Sequence, residues 1–270
     1  MKDLFIPTRH GRVHAVTSGE GPGLVLLHTL GGSAHQFDDL FSIAGQRYHT
    51  VAIEMIGHGD SDPLIGHLAI EDHADSIADA IITLGLRDLT IFGQSVGAYL
   101  ATVIGGRRPE ACARVVIGEA PPRTEADYSP NWAEIERSCV VLTSTLETLQ
   151  PRFRNLTPSL LERWNLDRQK VGVRALLATY WAIREFDFAN ALRHLRVPAQ
   201  LLIGEKGIAA SGLAERCAGL AAECKLPLYV LPDVGHFISI DDPGRLIAHI
   251  DAFVSADRQV RLTDASTAPS

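Results

Sequence analysis

Short stretches that are apolar at every position alternate along this chain with segments whose apolar residues recur at helical spacing. That alternation limits the fold more than any other feature. Leu24-Val25-Leu26-Leu27 and Val115-Val116-Ile117-Gly118 are too short for helices and too uniformly apolar for strands with one wet face. Such runs suit central parallel strands covered by helices on both sides. Thr50-Val51-Ala52-Ile53, Leu89-Thr90-Ile91-Phe92, Ala199–Gly204 and Leu226–Leu231 extend the series. Between them, Ile70, Ala74, Ile77, Ile81 and Leu84 keep helical spacing up to Gly85. Repeated strand–helix units predict an α/β class built on a mostly parallel sheet of about eight strands flanked by helices. Leu4–Ile6 and Arg12–Val16, turned at His10-Gly11, add an antiparallel pair at the start.

From residue 121 to 196 the strands disappear. Ala133–Leu149, Pro158–Arg163 and Val171–Glu185 read as amphipathic helices, and all three tryptophans, Trp132, Trp164 and Trp181, lie here. This predicts a helical cap at 121–196 inserted into a core of 1–120 and 197–256. The segment 257–270 reads as a flexible tail. Trp132 and Trp181 are expected to line an apolar pocket over the core, together with Thr29.

The net charge of −7 disfavours nucleic acid or an anionic membrane as a partner. No apolar leader or membrane-length stretch is present, which predicts a cytoplasmic protein. Four cysteines (Cys112, Cys139, Cys217 and Cys224) show neither C-x-x-C nor metal spacing and read as buried thiols. No metal or organic cofactor is implied. Oligomeric state is not legible.

One strand–helix junction carries chemistry. Gly93-Gln94-Ser95-Val96-Gly97 places a serine between a β-prone run and a helical run, with glycines where Cβ atoms would collide. A serine hydroxyl needs a base to become a nucleophile. His236, in Gly235-His236-Phe237 after the last strand, is the candidate. His10, His14, His35, His49, His67, His73, His194 and His249 read as solvent-facing, and no pair has ligand spacing.

With this elbow, the turn His28-Thr29-Leu30-Gly31-Gly32, Gly57-His58-Gly59-Asp60-Ser61-Asp62 and Gly235-His236-Phe237 in order, the chain resembles the α/β-hydrolase superfamily over nearly its whole length. The resemblance implies that the backbone N–H groups of Val96 and Leu30 form an oxyanion hole. It implies that His28 and His58 hold loops and that Glu54 braces them. Thr29 stands where the family pattern has glycine and could tune the hole, act as a third donor or be neutral. The family's usual acid position after the strand at 199–204 holds Gly207, in Gly204-Glu205-Lys206-Gly207. Glu119, at the end of the strand that follows the elbow helix, is the expected catalytic acid, with Glu205 as fallback. Zearalenone-type lactonases carry a glutamate there, similar to Glu119-Ala120-Pro121-Pro122.

The expectation is therefore a serine hydrolase that cleaves a small carboxylic ester or lactone with an apolar body, using Ser95, His236 and Glu119. The alternatives on the same fold are a cofactor-independent dioxygenase, a C–C bond hydrolase, or a non-catalytic ligand-binding relative.

Overall fold

A computed structural model describes residues 1–267. Eight strands form one sheet: β1 (Lys2–Thr8), β2 (Gly11–Ser18), β3 (Gly23–Leu27), β4 (His49–Ile53), β5 (Thr90–Gln94), β6 (Arg114–Gly118), β7 (Ala199–Gly204) and β8 (Leu228–Leu231). Their spatial order is β1-β2-β4-β3-β5-β6-β7-β8. β1 and β2 form an antiparallel hairpin and β2 lies antiparallel on β4, whereas every pairing from β4 to β8 is parallel.

The uniformly apolar strands serve both faces of this sheet. Val25, Leu27, Ile91, Val115, Ile117, Leu201 and Ile203 enter one core. Their neighbours Leu24, Leu26, Phe92, Val116 and Leu202 enter the other. Successive side chains of a strand point to opposite faces, so a strand buried on both is apolar at most positions, and its polar exceptions such as Thr90, Gln94, Arg114 and Gln200 are buried as well.

The first core packs α2 (Ile70–Leu84) and α3 (Val96–Arg107) against the sheet. The second packs α1 (Asp38–Ala44) and the terminal helix. Between β6 and β7 come the cap helices α4 (Glu125–Tyr128), α5 (Trp132–Val140), α6 (Leu146–Leu149), α7 (Pro158–Glu185) and α8 (Phe188–Arg193). After β7 follow α9 (Ala214–Glu223), α10 (Ile238–Asp241) and α11 (Pro243–Thr267). No described helix is long and apolar enough to cross a membrane.

Three details differ from expectation. The segment expected as one helix over 133–149 is two, α5 and α6, separated by Val141–Thr145. The expected segments 158–163 and 171–185 are one helix, α7, kinked at Gly172, whose φ of 71° suits glycine. The last helix does not stop at 256 but continues to Thr267, while 268–270 lie outside the described residues. Its extension is anchored. The fully buried guanidinium of Arg114, at the start of β6, pairs with Asp257 at 2.6 Å and with Asp88 at 2.5 Å. Arg258 reaches Asp88 as well. A buried cation without those carboxylates would be costly, and that cost ties α11 to the sheet.

Candidate active site

The parallel strands deliver their following loops to one edge of the sheet, the carboxyl edge where such folds gather ligands. There Thr29 and Leu30 (after β3), Ser95 (after β5), Glu119 (after β6), Lys206, Gly207 and Ile208 (after β7) and His236 (after β8) line one cavity of about 390 Å³. The cap closes it with Trp164, Arg168, Tyr180 and Ile183 of α7 and with Pro151 and Arg152 before it. Spacings of four and three residues put each α7 pair on one helix face.

Ser95 sits at the junction of β5 and α3 with φ 57° and ψ −119°, a conformation that L-residues avoid. Close packing sustains it. A Cβ on Gly93 would lie 2.0 Å from the Gly97 carbonyl oxygen, and one on Gly97 would lie 2.2 Å from that of Leu27. Side chains at either position would push the turn apart. Val96 is the first residue of α3, so its N–H has no acceptor within the helix and forms part of the positive end of the helix dipole.

His236 and Glu119 meet. Glu119 is fully buried and also has a positive φ, 48°. Its Oε2 accepts from His236 Nδ1 at 3.0 Å, and its carboxylate also accepts from the backbone N–H of Gly204 at 2.6 Å and of Ile208 at 3.1 Å. Three donors match what a buried carboxylate requires. With Nδ1–H directed to a carboxylate, the tautomer of the neutral ring carries its lone pair on Nε2. The imidazole is a quarter exposed, through the cavity.

Gly207 leaves room for the Glu119 carboxylate. A Cβ there would lie 2.5 Å from both oxygens of Glu119. The space that a side chain at 207 would occupy is filled by the Glu119 carboxylate, arriving from the neighbouring strand. Glu205 points elsewhere, accepting from the backbone N–H of Asp233 at 2.9 Å on an exposed turn. The fallback acid is therefore a turn brace.

A chain of amides and hydroxyls ties the His236 loop to the Leu30 loop. Gln94, the residue before Ser95, donates to the His236 carbonyl at 2.7 Å and accepts from Ser239 Oγ at 3.1 Å. Gln36 donates to Ser239 Oγ and accepts from both N–H and Oγ1–H of Thr29 at 2.9 Å. The Thr29 hydroxyl proton is thus directed to Gln36, and Thr29 lines the cavity. Asp241 braces the same loop by accepting from Gly235 N–H. Gln36, Gln94 and Ser239 carry no local sequence signal for this role, because the network joins residues more than a hundred positions apart.

Trp132 and Trp181 are not at the cavity. Their rings contact each other at 4.5 Å between centroids, with the Arg184 guanidinium over both. Trp181 follows Tyr180 on α7, and one helical step of about 100° turns it from the cavity towards α5. Trp164 is the tryptophan that lines the site.

Among the other histidines, His28 donates from Nδ1 to the Thr29 carbonyl and accepts at Nε2 from Met55 N–H, holding two loops together. Burial lowers its pKa and lowers that of His58, whose ring lies 5.2 Å away, much further. Two histidines expected at the surface, His14 and His73, are buried, and burial brings His73 down to about 4. Burial pushes the Cys112 thiol up to about 12 and Cys217 to about 11, so neither is a nucleophile near neutral pH.

A sequence-family model described as the alpha/beta hydrolase fold matches residues 22–140. The chain is similar to the (E)-2-((N-methylformamido)methylene)succinate hydrolase of Acinetobacter baylyi. The two are 25% identical over 250 residues, covering 89% of this chain and 93% of that one. It is also 27% identical, over 70% of its length and 78% of the relative's, to the pimeloyl-[acyl-carrier protein] methyl ester esterase of Methylococcus capsulatus. The structure of a bacterial membrane phospholipase A superposes with a TM-score of 0.80 at 20% identity, over 95% of this chain and 86% of that one. That last likeness is one of fold.

Proposed function

The chain belongs to the α/β-hydrolase superfamily, and from that premise we propose that it is a serine hydrolase cleaving a small carboxylic ester or lactone through Ser95, His236 and Glu119. One observation carries this reading. A serine held at a strained strand–helix turn shares a cavity with a histidine whose Nδ1 rests on a buried carboxylate.

In the proposed reaction Ser95 Oγ attacks the acyl carbon while Nε2 of His236 takes its proton. Glu119 stabilises the imidazolium that forms. The oxygen of the tetrahedral adduct is held by the N–H groups of Val96 and Leu30, a type of contact worth about 3 kcal/mol per donor in the transition state. The C–O bond then breaks and the imidazolium gives its proton to the departing alkoxide. Water repeats the sequence on the acyl-enzyme, which releases the acid and restores the serine. In a lactone the alcohol stays attached to the product acid. The names of the methyl ester esterase and the succinate hydrolase among the relatives support a hydrolytic reaction.

Reaction with a fluorophosphonate probe followed by peptide mass spectrometry tests the reading. Ser95 should carry the phosphonyl group, and Ser95→Ala should carry none. A folded protein that stays unlabelled while dioxygen-dependent turnover persists would overturn it.

A further inference from the structure

The cavity is cationic although the chain carries a net charge of −7. Arg123, Arg152, Arg168 and Lys206 line it, against the single carboxylate of Glu119, which His236 and two backbone amides already occupy. Lys206 pairs with Asp233. The three arginines have no carboxylate partner among the described residues.

Aromatic rings hold two of them instead. Arg152 lies over Trp164 at 5.5 Å and over Phe237 at 5.2 Å, and Arg123 lies over Tyr128 at 5.6 Å. Arg168 donates to the Ser138 and Val141 carbonyls, at 3.4 Å each. A guanidinium stacked on a ring is fixed by its flat face, which leaves its in-plane N–H donors free. All three line the same cavity as Tyr180. Burial raises the pKa of that phenol, while the charges of Arg152, Arg168 and Arg123 pull it down. Arg123 and Arg152 keep contact with solvent and Arg168 is half-buried, so their mutual repulsion is screened, and an anionic guest would meet several guanidinium donors on one cavity wall.

We propose that the cavity selects an acidic substrate, an ester or lactone bearing a carboxylate remote from the bond that is cleaved, with Arg152 and Arg168 as its principal ligands and Arg123 as a supporting charge. Planar guanidinium forks match a carboxylate's two oxygens. The cations of this site are the side chains of Arg152, Arg168 and Arg123. This inference rests on the serine-hydrolase reading.

Monomethyl glutarate and methyl valerate differ by a carboxylate in place of a terminal methyl group, and proton release follows both. The acidic ester should have the larger kcat/KM by at least about tenfold, since a charge-assisted contact is gained. Raising the salt from roughly 0.01 M to roughly 1 M, which shortens the Debye length from about 30 Å to about 3 Å, should erode that preference. Arg152→Gln and Arg168→Gln should each reduce the acidic-to-neutral ratio, mainly through KM. Equal rates, or a preference for methyl valerate or for methyl 4-(trimethylammonio)butyrate, would overturn the proposal. Faster turnover of methyl 4-phosphonobutyrate would assign the site to phosphate instead. If an arginine variant does not fold, the salt dependence of the unaltered enzyme decides. Fluorophosphonate labelling separates the two readings. A labelled Ser95 with no acidic preference removes only the substrate assignment, whereas an unlabelled Ser95 with both esters intact removes both.

Discussion

Two glutamates end strands in this sheet, both buried, and each accepts from a histidine Nδ1 and from two backbone amides. Glu54, after β4, holds His14 at 2.9 Å together with the N–H groups of Ala34 and Asp60. Glu119, after β6, holds His236 at 3.0 Å together with those of Gly204 and Ile208. A glycine closes over each. A Cβ on Gly59 would lie 2.0 Å from the Glu54 carboxylate, and one on Gly207 would lie 2.5 Å from that of Glu119. The far ring nitrogens separate them. Nε2 of His14 is bound to Asp3 at 3.1 Å, and its ring is buried against Phe5. His236 opens into the cavity that contains Ser95. A buried carboxylate–histidine pair is therefore a way to secure loops, and the two pairs differ in that only the second ring opens into a cavity shared with a serine.

The largest test of that distinction exchanges each carboxylate for an amide. Glu119→Gln leaves Nδ1–H without a charged acceptor, and kcat should fall by about 10⁴-fold, as when the acid of other triads is lost. Glu54→Gln should instead cost about 1–3 kcal/mol of unfolding free energy, because it disturbs buried donors without touching the reacting atoms. Steady-state rates and denaturant midpoints for both variants check this. A large fall in kcat for Glu54→Gln with an unchanged midpoint would erase the contrast.

A smaller effect tests the glycines. Gly59→Ala should destabilise the fold by about 1–3 kcal/mol through overpacking and a positive φ. Gly207→Asp alone should depress kcat, since two carboxylates would share one site. Glu119→Gly removes the buried acid at a position whose φ favours glycine. Adding Gly207→Asp to Glu119→Gly should restore at least about tenfold of the lost rate, and such non-additivity identifies residues that share one task. No recovery in a well-folded double variant would mean that a side chain at 207 cannot reach Nδ1.

Much of this site was legible in the chain. Ser95 and His236 are flanked by glycines and strands, and both sit beside the cavity. Glu119 stood out as a carboxylate closing an apolar run, where an unpartnered charge is costly. The cap was legible as helical but not in its facing. Which of Tyr180 or Trp181 turns inward depends on the kink at Gly172 and on how the two halves of α7 lie over the sheet. Periodicity does not contain that information. Arg152 and Arg168 resemble ordinary solvated arginines until folding places them over the same cavity. Gln36, Gln94 and Ser239 were equally silent, because a polar network is defined by its partners and these are distant in sequence.

The smallest effect concerns pH and the loop-holding pair. Its hydrogen bond to Glu54 raises the pKa of His14 above 6.5, with burial opposing. Burial pushes Glu54 up, but the hydrogen bonds from His14, Ala34 and Asp60 outweigh it and hold the carboxyl below its usual value. A histidine whose folded pKa is raised contributes stability that is complete below its unfolded pKa, and that stability is lost as pH rises through the folded value. A carboxyl whose folded pKa is lowered contributes above its unfolded pKa and is lost as pH falls through the folded one. The pair should therefore hold its loops best between the two, and Tm should decline as pH rises past 6.5. His14→Gln should flatten that decline, measured by thermal unfolding across the range, because glutamine does not titrate. An unchanged slope in His14→Gln would place the alkaline loss elsewhere and leave His14 a neutral spacer, which would remove the charge from the pair that secures the β4 loops.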